Sequence, residues 1–549
     1  MSGVKERLAA LLPDAPVGAG TDAPISVPAD RLLEVAQALR TDADEPMDYL
    51  RDIVGMDWGT EMGALYYLEC TRTGSRVTLR VAVPRQEVPV LPSVYGIWRT
   101  AELKEREVMD FFGIRFTGHP DMRRLFLRED WIGYPLRKDW IGYPLRKDYD
   151  MDSNPLRMDN EVNADDTVEY TLQPDGRLTG SRRPIFGSED FVVNIGPQHP
   201  STHGVLRMRT SLDGECIRRV DPILGYIHRG IEKLAEGLTY VQTLPMTDRL
   251  DYLSAHHNRH ALCMCIEQAA GIEVPLRAQY IRTIMDELQR IDSHLLFYSC
   301  LVMDMGGLTP FFYGFREREM VLDIMEETTG GRLIQNYYTI GGVRQDLHPS
   351  FCTKVKEFIK HLRQVIGEYH SIFTDNLIAR SRLEGVGVLS REDAIALGTT
   401  GGTGRASGWA NDVRKHHPYA LYGEVDFREV VRTEGDSMAR YLVRMDEIME
   451  SCRIIEQLID RIPEGDFRTR IKPVLRLPEG NFSASVESSR GEFGVMLESH
   501  GDRMPYRLHF RSTGLPLVHA MDTVCRGAKL ADLIAIGGTL DFVIPDIDR

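Results

Sequence analysis

The segment NIGPQHPSTHG carries two histidines whose imidazoles could take up or release protons near neutral pH. His199 and His203 are four residues apart, a spacing that binds metals on a helix. Pro200 interrupts any such helix, and no glutamate accompanies the histidines, so a zinc site is not predicted. Histidines in a Gly/Pro loop more often brace a turn than take part in chemistry. The residues alone therefore favour a structural role and leave proton transfer open.

A second group of ionisable side chains lies in TDRLDY, at the start of a predicted helix. Asp248 or Asp251 could complement the helix dipole. Tyr252 would normally be a half-buried anchor whose hydroxyl has a hydrogen-bond partner. His256 and His260 share a face of this helix, but no acidic third ligand accompanies them, so we interpret both as structural.

Asp304 interrupts the apolar stretch LLFYSCLVMDMGGLTPFFYGF, residues 295–315. The stretch is long enough to cross a bilayer, but a carboxylate at its centre would cost about 3 kcal/mol, and the Gly/Pro cluster breaks the helix. We therefore predict that it is buried in protein and crosses no membrane. A buried carboxylate needs a partner or takes up a proton, which makes Asp304 a functional candidate, although a structural ion pair is the commoner explanation.

The glycine-rich segment at residues 398–418, GTTGGTGRASGWANDVRKHHP, does not predict nucleotide binding. It lacks the third glycine of a dinucleotide fingerprint, the surrounding βαβ unit and the GK[ST] of a phosphate loop. We interpret it as a tight loop whose backbone packs closely.

Composition narrows the class of protein. The chain has 549 residues, 42% of them hydrophobic and 27% charged, which is typical of several globular domains. Its net charge of −15 argues against binding nucleic acid or anionic lipid. The eight cysteines are scattered, and none forms a CxxC pair, so reduced thiols in a cytosolic compartment are expected.

Residues 1–150 are predicted to form a compact α+β domain. A helical pattern covers 29–39, and β-rich runs at 64–72 and 76–84 flank a TGS turn, which is a hairpin signal. A further helix is predicted over 97–112.

The nonapeptide DWIGYPLRK occurs twice in tandem, at 130–138 and 139–147. Structural repeats are usually about 20 residues or longer, so we interpret the copy as a duplication tolerated in a surface loop. Residues 151–187 are polar and are predicted to be an interdomain linker with at most one strand, near 168–172.

Residues 188–549 are predicted to form a large, mainly helical domain with β elements at both ends. Apolar residues recur at three- and four-residue steps in 281–303, which indicates one apolar stripe on a long helix. Similar patterns cover 251–270, 317–327, 350–374 and 437–460. Strand-like runs return from about residue 481.

Several long motifs together resemble two families of respiratory complex I, the proton-pumping NADH:quinone oxidoreductase. The motifs that resemble its 49-kDa (D) subunit are GPQHPSTHGVLR (196–207), GYIHRGIEK (225–233), DRLDYLS (248–254), MGGLTPFFYGFRERE (305–319), RASGWANDVRKHHPYALY (405–422), SRGEFGVMLESHG (489–501) and DFVIPDIDR (541–549). The segments EREVMDFFGIRFTGHPDMRRLFL (105–127) and DWIGYPLRKDY (139–149) resemble its 30-kDa (C) subunit. The chain thus resembles a fused C/D subunit, although the family carries one DWxGxPLRKD segment and this chain two.

The resemblance implies a fold similar to the large subunits of nickel–iron hydrogenases. Those proteins bind metal through two CxxC pairs, one near each end. The corresponding segments here, DRLDYLS and DFVIPDIDR, contain no cysteine. We therefore expect no metal and no iron–sulfur cluster bound by this chain alone.

The resemblance also implies a quinone-reduction site that couples electron transfer to proton translocation. His203 and Tyr252 would hydrogen-bond the two quinone carbonyls, Asp304 would pair with His203, and His199 would be a further quinone contact. Phenol and imidazole can both donate the protons that quinone reduction needs. Arg229 and Arg249 would face the terminal iron–sulfur cluster of a partner, the B subunit, where positive charge stabilises the reduced cluster.

By the same resemblance, the partners are the B and I subunits, the 75-kDa G subunit and the membrane-embedded H and A subunits, and the chain is peripheral on the cytoplasmic side of the bacterial inner membrane. Alone it would be inactive, because other subunits oxidise NADH. Two alternatives stay open: a purely structural scaffold subunit, and a component of a membrane-bound hydrogenase-like complex, against which the missing cysteine pairs argue.

Overall fold

A computed structural model of the chain describes residues 3–13, 15–140, 165–198, 203–472 and 474–549. The helices are α1 Gly3–Leu11, α2 Leu32–Arg40, α3 Ala101–Phe112, α4 Ile231–Ala235, α5 Tyr240–Thr247, α6 Ala255–Ala270, α7 Leu276–Asp304, α8 Leu308–Thr329, α9 Phe351–Tyr369, α10 Leu377–Leu383, α11 Arg391–Leu397, α12 Gly401–Ala406, α13 Val413–His416, α14 Ser437–Leu458, α15 Gly514–Cys525, α16 Leu533–Leu540 and α17 Ile544–Asp548. The strands are β1 Ile25–Pro28, β2 Tyr49–Asp57, β3 Glu61–Glu69, β4 Arg76–Pro84, β5 Val90–Pro92, β6 Arg115–Thr117, β7 Asp166–Leu172, β8 Leu178–Pro184, β9 Phe191–Gln198, β10 Leu206–Asp213, β11 Cys216–Ile223, β12 Tyr338–Thr339, β13 Gly342–Val343, β14 Gly480–Ser488, β15 Gly491–Ser499 and β16 Arg507–Arg511.

The N-terminal part is built on a four-stranded sheet with the order β1-β4-β3-β2. The predicted hairpin is confirmed: β3 and β4 pair antiparallel, and Gly74 takes a positive φ in the turn. Helix α3 packs on β2, and Val54 on the other side of that strand belongs to a cluster with Met496 of β15. Strand β2 is buried along its whole length because both of its faces are covered.

The segment that we predicted as a linker contributes a hairpin to a second sheet, ordered β5-β6-β7-β8. Strand β7 includes the one strand expected near 168–172, but β8 was not predicted. Its residues are mostly exposed and polar, so apolar alternation does not reveal it. Its signal was Asp175-Gly176, a turn dipeptide in which Gly176 takes a positive φ.

Helix α7 forms the centre of the C-terminal part, where it contacts α8, α14 and α16. The predicted apolar stripe is confirmed, since Ile284, Leu288, Ile291 and Leu295 are all inaccessible to solvent. The helix is buried on its other faces as well, including charged residues such as Arg290. Buried charges of this kind need partners of opposite charge or hydrogen bonds inside the protein, so the interior around α7 contains polar networks as well as apolar contacts.

The prediction of a buried stretch at 295–315 is wrong for its second half. Helix α7 ends at Asp304, and α8 begins at Leu308, so the glycine pair breaks the helix as expected. Leu308 and Phe312 are 61% and 59% exposed, and Asp304 is only half-buried. Periodicity identifies the apolar face of a helix but not whether this chain covers it. Among the described residues, no helix is both long and apolar enough to cross a membrane.

The mixed α and β architecture predicted for the chain is confirmed, but its C-terminal end differs from the expected β elements. The sheet β14-β15-β16 is followed by three helices, α15 to α17. This end packs against the N-terminal part through buried ion pairs: Arg51 of β2 lies 2.5 Å from Glu492 of β15, and Asp52 lies 3.0 Å from His509 of β16. Burial of these charges on both sides makes the two parts one packed body.

Candidate functional site

The loop that carries His203 connects β9 to β10, the antiparallel strands at the edge and centre of the sheet β11-β10-β9. His199 lies outside the described residues. His203 takes a positive φ of 43°, and its carbonyl oxygen accepts a hydrogen bond from Ile544 N of α17 at 3.1 Å. Gly204 has a φ of 133°, and a Cβ there would lie 2.6 Å from Ile544 Cβ. The backbone conformation at Gly204 and its close packing against α17 therefore fix the position of His203 just before β10.

Tyr252 lies in the turn between α5 and α6. The sequence predicted a helix start at this segment, but α6 begins about one helical turn later, at Ala255. Three side chains hold this turn from different elements. Arg490 Nη1 donates to Asp251 Oδ2 at 2.9 Å, Asn258 Nδ2 donates to the Asp251 carbonyl at 2.9 Å, and Gln289 Nε2 donates to the Leu253 carbonyl at 3.2 Å. The turn is irregular in backbone but fixed on both sides of Tyr252.

Tyr252 and His203 are neighbours, although 49 positions separate them in the chain. The hydroxyl Oη of Tyr252 lies 3.5 Å from Nδ1 of His203, at the outer limit of a hydrogen bond. Burial raises the pKa of Tyr252, and the positive charge of Arg490 partly offsets this increase. A phenol that stays protonated thus faces an imidazole.

His203 and Asp304 line the same small cavity. Its other walls come from α7 and from the end of α16; they are Phe297, Cys300, Leu301, Gly537, Gly538, Asp541 and Phe542. The cavity enclosed by these residues has a volume of about 10 Å³ and holds about one water molecule. Burial raises the pKa of Cys300 to about 12, so its thiol is protonated at neutral pH.

Arg229 and Arg249 lie together at the surface, as a pair of exposed cationic side chains. Arg229 Nη2 donates to the Arg249 carbonyl at 2.8 Å. The loop that carries Arg229 is held by Asp548, which accepts hydrogen bonds from Gly225 N and Ile227 N at 2.9 and 3.0 Å. Burial raises the pKa of Asp548 to about 6.

The other groups singled out in the sequence are structural. His260 is buried and lies 2.7 Å from Asp286, and the ring of His256 lies against Tyr338. In the glycine-rich segment, a Cβ on Gly401 would lie 2.4 Å from Gly491 Cα, which confirms close backbone packing, although the short helix α12 was not predicted.

Among the described residues, only Glu107, Glu232 and His509 bring three possible ligand atoms within 4.8 Å of one another. Both carboxylates already pair with cations: Arg549 contacts Glu107 at 2.5 Å, and Arg507 contacts Glu232 at 2.7 Å. We interpret this group as an ion network rather than a metal site.

Arg490, Asp541 and Cys300 were not predicted as site residues from the sequence. Arg490 and Asp541 lie inside the quoted motifs SRGEFGVMLESHG and DFVIPDIDR, so a signal for both was present. Arg490 contacts both Asp251 in the Tyr252 turn and Asp541, and so joins three distant segments, which no local pattern reveals. Cys300 lies within the apolar stretch and carries no signal of its own.

Comparisons with known proteins agree with this architecture. Residues 25–140 match the family model of the respiratory-chain NADH dehydrogenase 30 Kd subunit, and residues 304–476 and 469–549 match that of the 49 Kd subunit. The NADH-quinone oxidoreductase C/D subunit of Phocaeicola vulgatus is 64% identical over 526 residues, which are 96% of this chain and 99% of that protein. The C/D subunit of Bacteroides thetaiotaomicron is 64% identical over 524 residues, 93% of this chain and 97% of that protein. The D subunit of Desulfotalea psychrophila is 46% identical over 362 residues, 66% of this chain and 97% of that protein.

The chain thus combines a 30 Kd-like and a 49 Kd-like part in one polypeptide. It belongs to the family of fused C/D subunits of NADH-quinone oxidoreductase, as the sequence motifs predicted. It is therefore one part of a multisubunit oxidoreductase, respiratory complex I.

Proposed function

We propose that this chain forms part of the quinone-reduction site of its complex, with Tyr252 and His203 as the groups that bind the headgroup. The observation that carries the proposal is the 3.5 Å contact between the Tyr252 hydroxyl and His203 Nδ1, beside a cavity that His203 shares with Asp304. An imidazole, a phenol and a carboxylate from three distant segments meet at one place.

The chemistry of the site matches the reaction. Reduction of a quinone to a quinol takes up two electrons and two protons, and each carbonyl oxygen becomes a hydroxyl. Tyr252 and His203 can hydrogen-bond the quinone and then pass a proton to the reduced oxygen. Asp304, on the same cavity, would favour the protonated form of His203. Both donors must regain their protons before the next turnover.

The contact distance refines how the headgroup would be held. An oxygen that accepts from both donors needs about 2.8 Å to each. The donor atoms can keep their 3.5 Å separation only if that oxygen lies to one side of the line that joins them. Binding of opposite carbonyls would need His203 and Tyr252 to separate. The present spacing thus favours one shared carbonyl oxygen over the two that the resemblance implied, and the proton for the second oxygen would then come from a group outside this pair, on a partner subunit or in water.

A quinone ring does not fit the cavity that these residues enclose, because ligand pockets are usually about 300 Å³ or larger. In the proposal, the chain supplies one side of the pocket, and partner subunits supply the rest. Phe297 and Phe542 line this cavity but are only 2% and 4% exposed, so a quinone ring could pack on them only after the site opens.

We assign Arg229 and Arg249 to the side that faces the electron donor. In this family, the terminal iron–sulfur cluster would belong to a partner, the B subunit, and no residue of this chain is assigned as a ligand. A fixed positive charge near such a cluster stabilises its reduced form. The exposed position of both side chains supports a contact with a partner. We further propose that quinone reduction at this site is coupled to proton translocation by the complex. The chain would lie at the periphery of the membrane, on its cytoplasmic side.

The test is Tyr252→Phe in the assembled complex. Loss of the phenolic proton donor should lower NADH-to-quinone turnover by about 10²-fold, the lower range for a general acid, while NADH-to-ferricyanide activity stays unchanged. Tyr280→Phe is the matched control, because Tyr280 is buried on the same helix as Asp304 but about 36 Å away along α7. Equal quinone turnover in both variants would favour a scaffold role and refute the proposal.

A further inference from the structure

Arg490 is a buried cation in an unusual place, the turn between β14 and β15. A charged side chain in a hairpin turn normally reaches into solvent, but Arg490 is only 1% exposed. Its Nη1 donates to Asp251 Oδ2 at 2.9 Å and to Ser293 Oγ at 3.1 Å, and its Nη2 donates to Asp541 Oδ1 at 3.1 Å. The guanidinium therefore joins three segments that are distant in sequence.

The two carboxylates that it joins flank the proposed headgroup site. Asp251 directly precedes Tyr252 in the turn between α5 and α6, and Asp541 lies on the wall of the cavity with His203. Asp541 caps the C-terminus of α16 with a positive φ of 60°, and its Oδ2 lies 3.4 Å from Arg444 Nε. One guanidinium thus connects the proton-donating turn to the cavity wall.

Electrostatics point in the same direction as the contacts. Three carboxylates lie near the site, those of Asp251, Asp304 and Asp541, and a buried carboxylate left alone would repel a forming phenolate. Burial raises the pKa of Tyr252, and the largest influence against it is the charge of Arg490. The positive charge is placed where it makes release of the phenolic proton easier.

We propose that Arg490 is a positioning residue for quinone reduction: it holds Asp251 and Asp541 in one arrangement, fixes Tyr252 relative to the cavity wall, and supplies the positive charge that favours proton transfer from the phenol. Arginine suits this role because its planar fork can contact two carboxylates at once, whereas lysine is a point charge. The inference rests on the proposed function, since it gives Arg490 no role without a reacting quinone.

The experiment compares Arg490→Gln and Arg490→Lys in the purified, assembled complex. Quinone turnover is divided by NADH-to-ferricyanide activity, so that loss of assembled complex does not count as loss of turnover. Arg490→Gln should lower kcat for quinone about tenfold or more with little change in KM, because the group acts when the proton moves. Arg490→Lys should recover part of this loss, because it restores the charge without the fork.

The matched control is Arg282→Gln. Arg282 is likewise buried and makes two contacts to a carboxylate, Glu267, at 2.7 and 3.0 Å, but it lies in the N-terminal part of α7, far from Asp304 at the other end of that helix. Its loss costs stability in the same way and touches no group of the site. If Arg490→Gln lowers normalised kcat no more than Arg282→Gln, the inference is overturned.

A double-mutant cycle separates this inference from the proposed function. With Tyr252→Phe already present, Arg490→Gln should have little further effect, because no phenol is left to position. If Tyr252→Phe alone leaves turnover intact, the proposed function fails. If Tyr252→Phe lowers turnover and the effects of the two substitutions multiply, the proposed function stands and the role of Arg490 is refuted. Should Arg490→Gln not assemble, the same cycle with Arg490→Lys decides between these outcomes.

Discussion

Gly204→Ala should lower quinone turnover, although Gly204 itself contributes no side chain to the proposed site. Gly204 follows His203 directly, and its φ of 133° lies outside the range that residues with a Cβ adopt easily. An added Cβ would lie 2.6 Å from Ile544 Cβ and 2.9 Å from Pro545 Cδ, both on α17. The loop can relieve this overlap only by moving away from α17, and His203 would move with it.

The magnitude follows from two costs. A residue held in a sparsely populated backbone region costs about 1–3 kcal/mol, and overpacking of a tight contact costs about 1–3 kcal/mol more. If about 2 kcal/mol of this sum is released when the loop shifts, the ratio of molecules with His203 beside Tyr252 to molecules with the shifted loop falls about 30-fold. If the two loop positions are about equally populated in the unsubstituted chain, NADH-to-quinone turnover should then fall by about tenfold, with NADH-to-ferricyanide activity unchanged.

Gly214→Ala provides the matched control. Gly214 also has a positive φ, 60°, but nothing lies within 4 Å of the position its Cβ would take. It sits in the turn between β10 and β11, at the other end of the strand that begins after the His203 loop. Both activities should survive this substitution. Equal quinone turnover in Gly204→Ala and Gly214→Ala would refute the argument that packing against α17 places His203.

Two further predictions concern the contact between the N-terminal and C-terminal parts. His509 lies between the carboxylates of Asp52 and Glu232, which raise its pKa despite its burial. Its stabilising effect is therefore complete below the unfolded pKa of about 6.5 and is lost as pH rises through the folded pKa. Between pH 6 and pH 9, the free energy of urea unfolding of the purified chain should fall more for the native chain than for His509→Gln, and equal falls would contradict this. Glu492→Gln should reduce the free energy of unfolding by about 3 kcal/mol or more, because it leaves Arg51 buried with its main partner neutralised. Glu384→Gln, in an exposed ion pair with Arg380, is the control and should change this free energy little. Similar urea midpoints for the two variants would count against an interface stabilised by buried ion pairs.

Local elements could be predicted from the sequence because their signals are local. The hairpin of β3 and β4 follows from two β-rich runs around a glycine turn, and α7 follows from apolar residues at helical spacing. Strand β8 escaped because an exposed polar strand has no apolar alternation. Helices α15 to α17 were not predicted, because the region from residue 481 onward begins with strand-like runs and was interpreted as β structure throughout.

The site divides along the same line. The resemblance to the 49-kDa subunit assigned His203 and Tyr252 to one site, and in the structure the Tyr252 hydroxyl lies 3.5 Å from His203 Nδ1. Spacing alone left both with structural explanations, because a loop histidine and a tyrosine before a helix are common. Arg490 lies 239 positions from Asp251 and 51 from Asp541, and pairings of this kind follow from the fold rather than from any local pattern.

The most direct test of the proposed quinone site is a structure of the assembled complex with a quinone bound. A headgroup oxygen should lie within about 3 Å of the Tyr252 hydroxyl and within reach of the His203 ring, with Asp541 and Asp304 on the adjoining wall. A fully occupied headgroup that lies elsewhere, with protein side chains between it and both Tyr252 and His203, would contradict it.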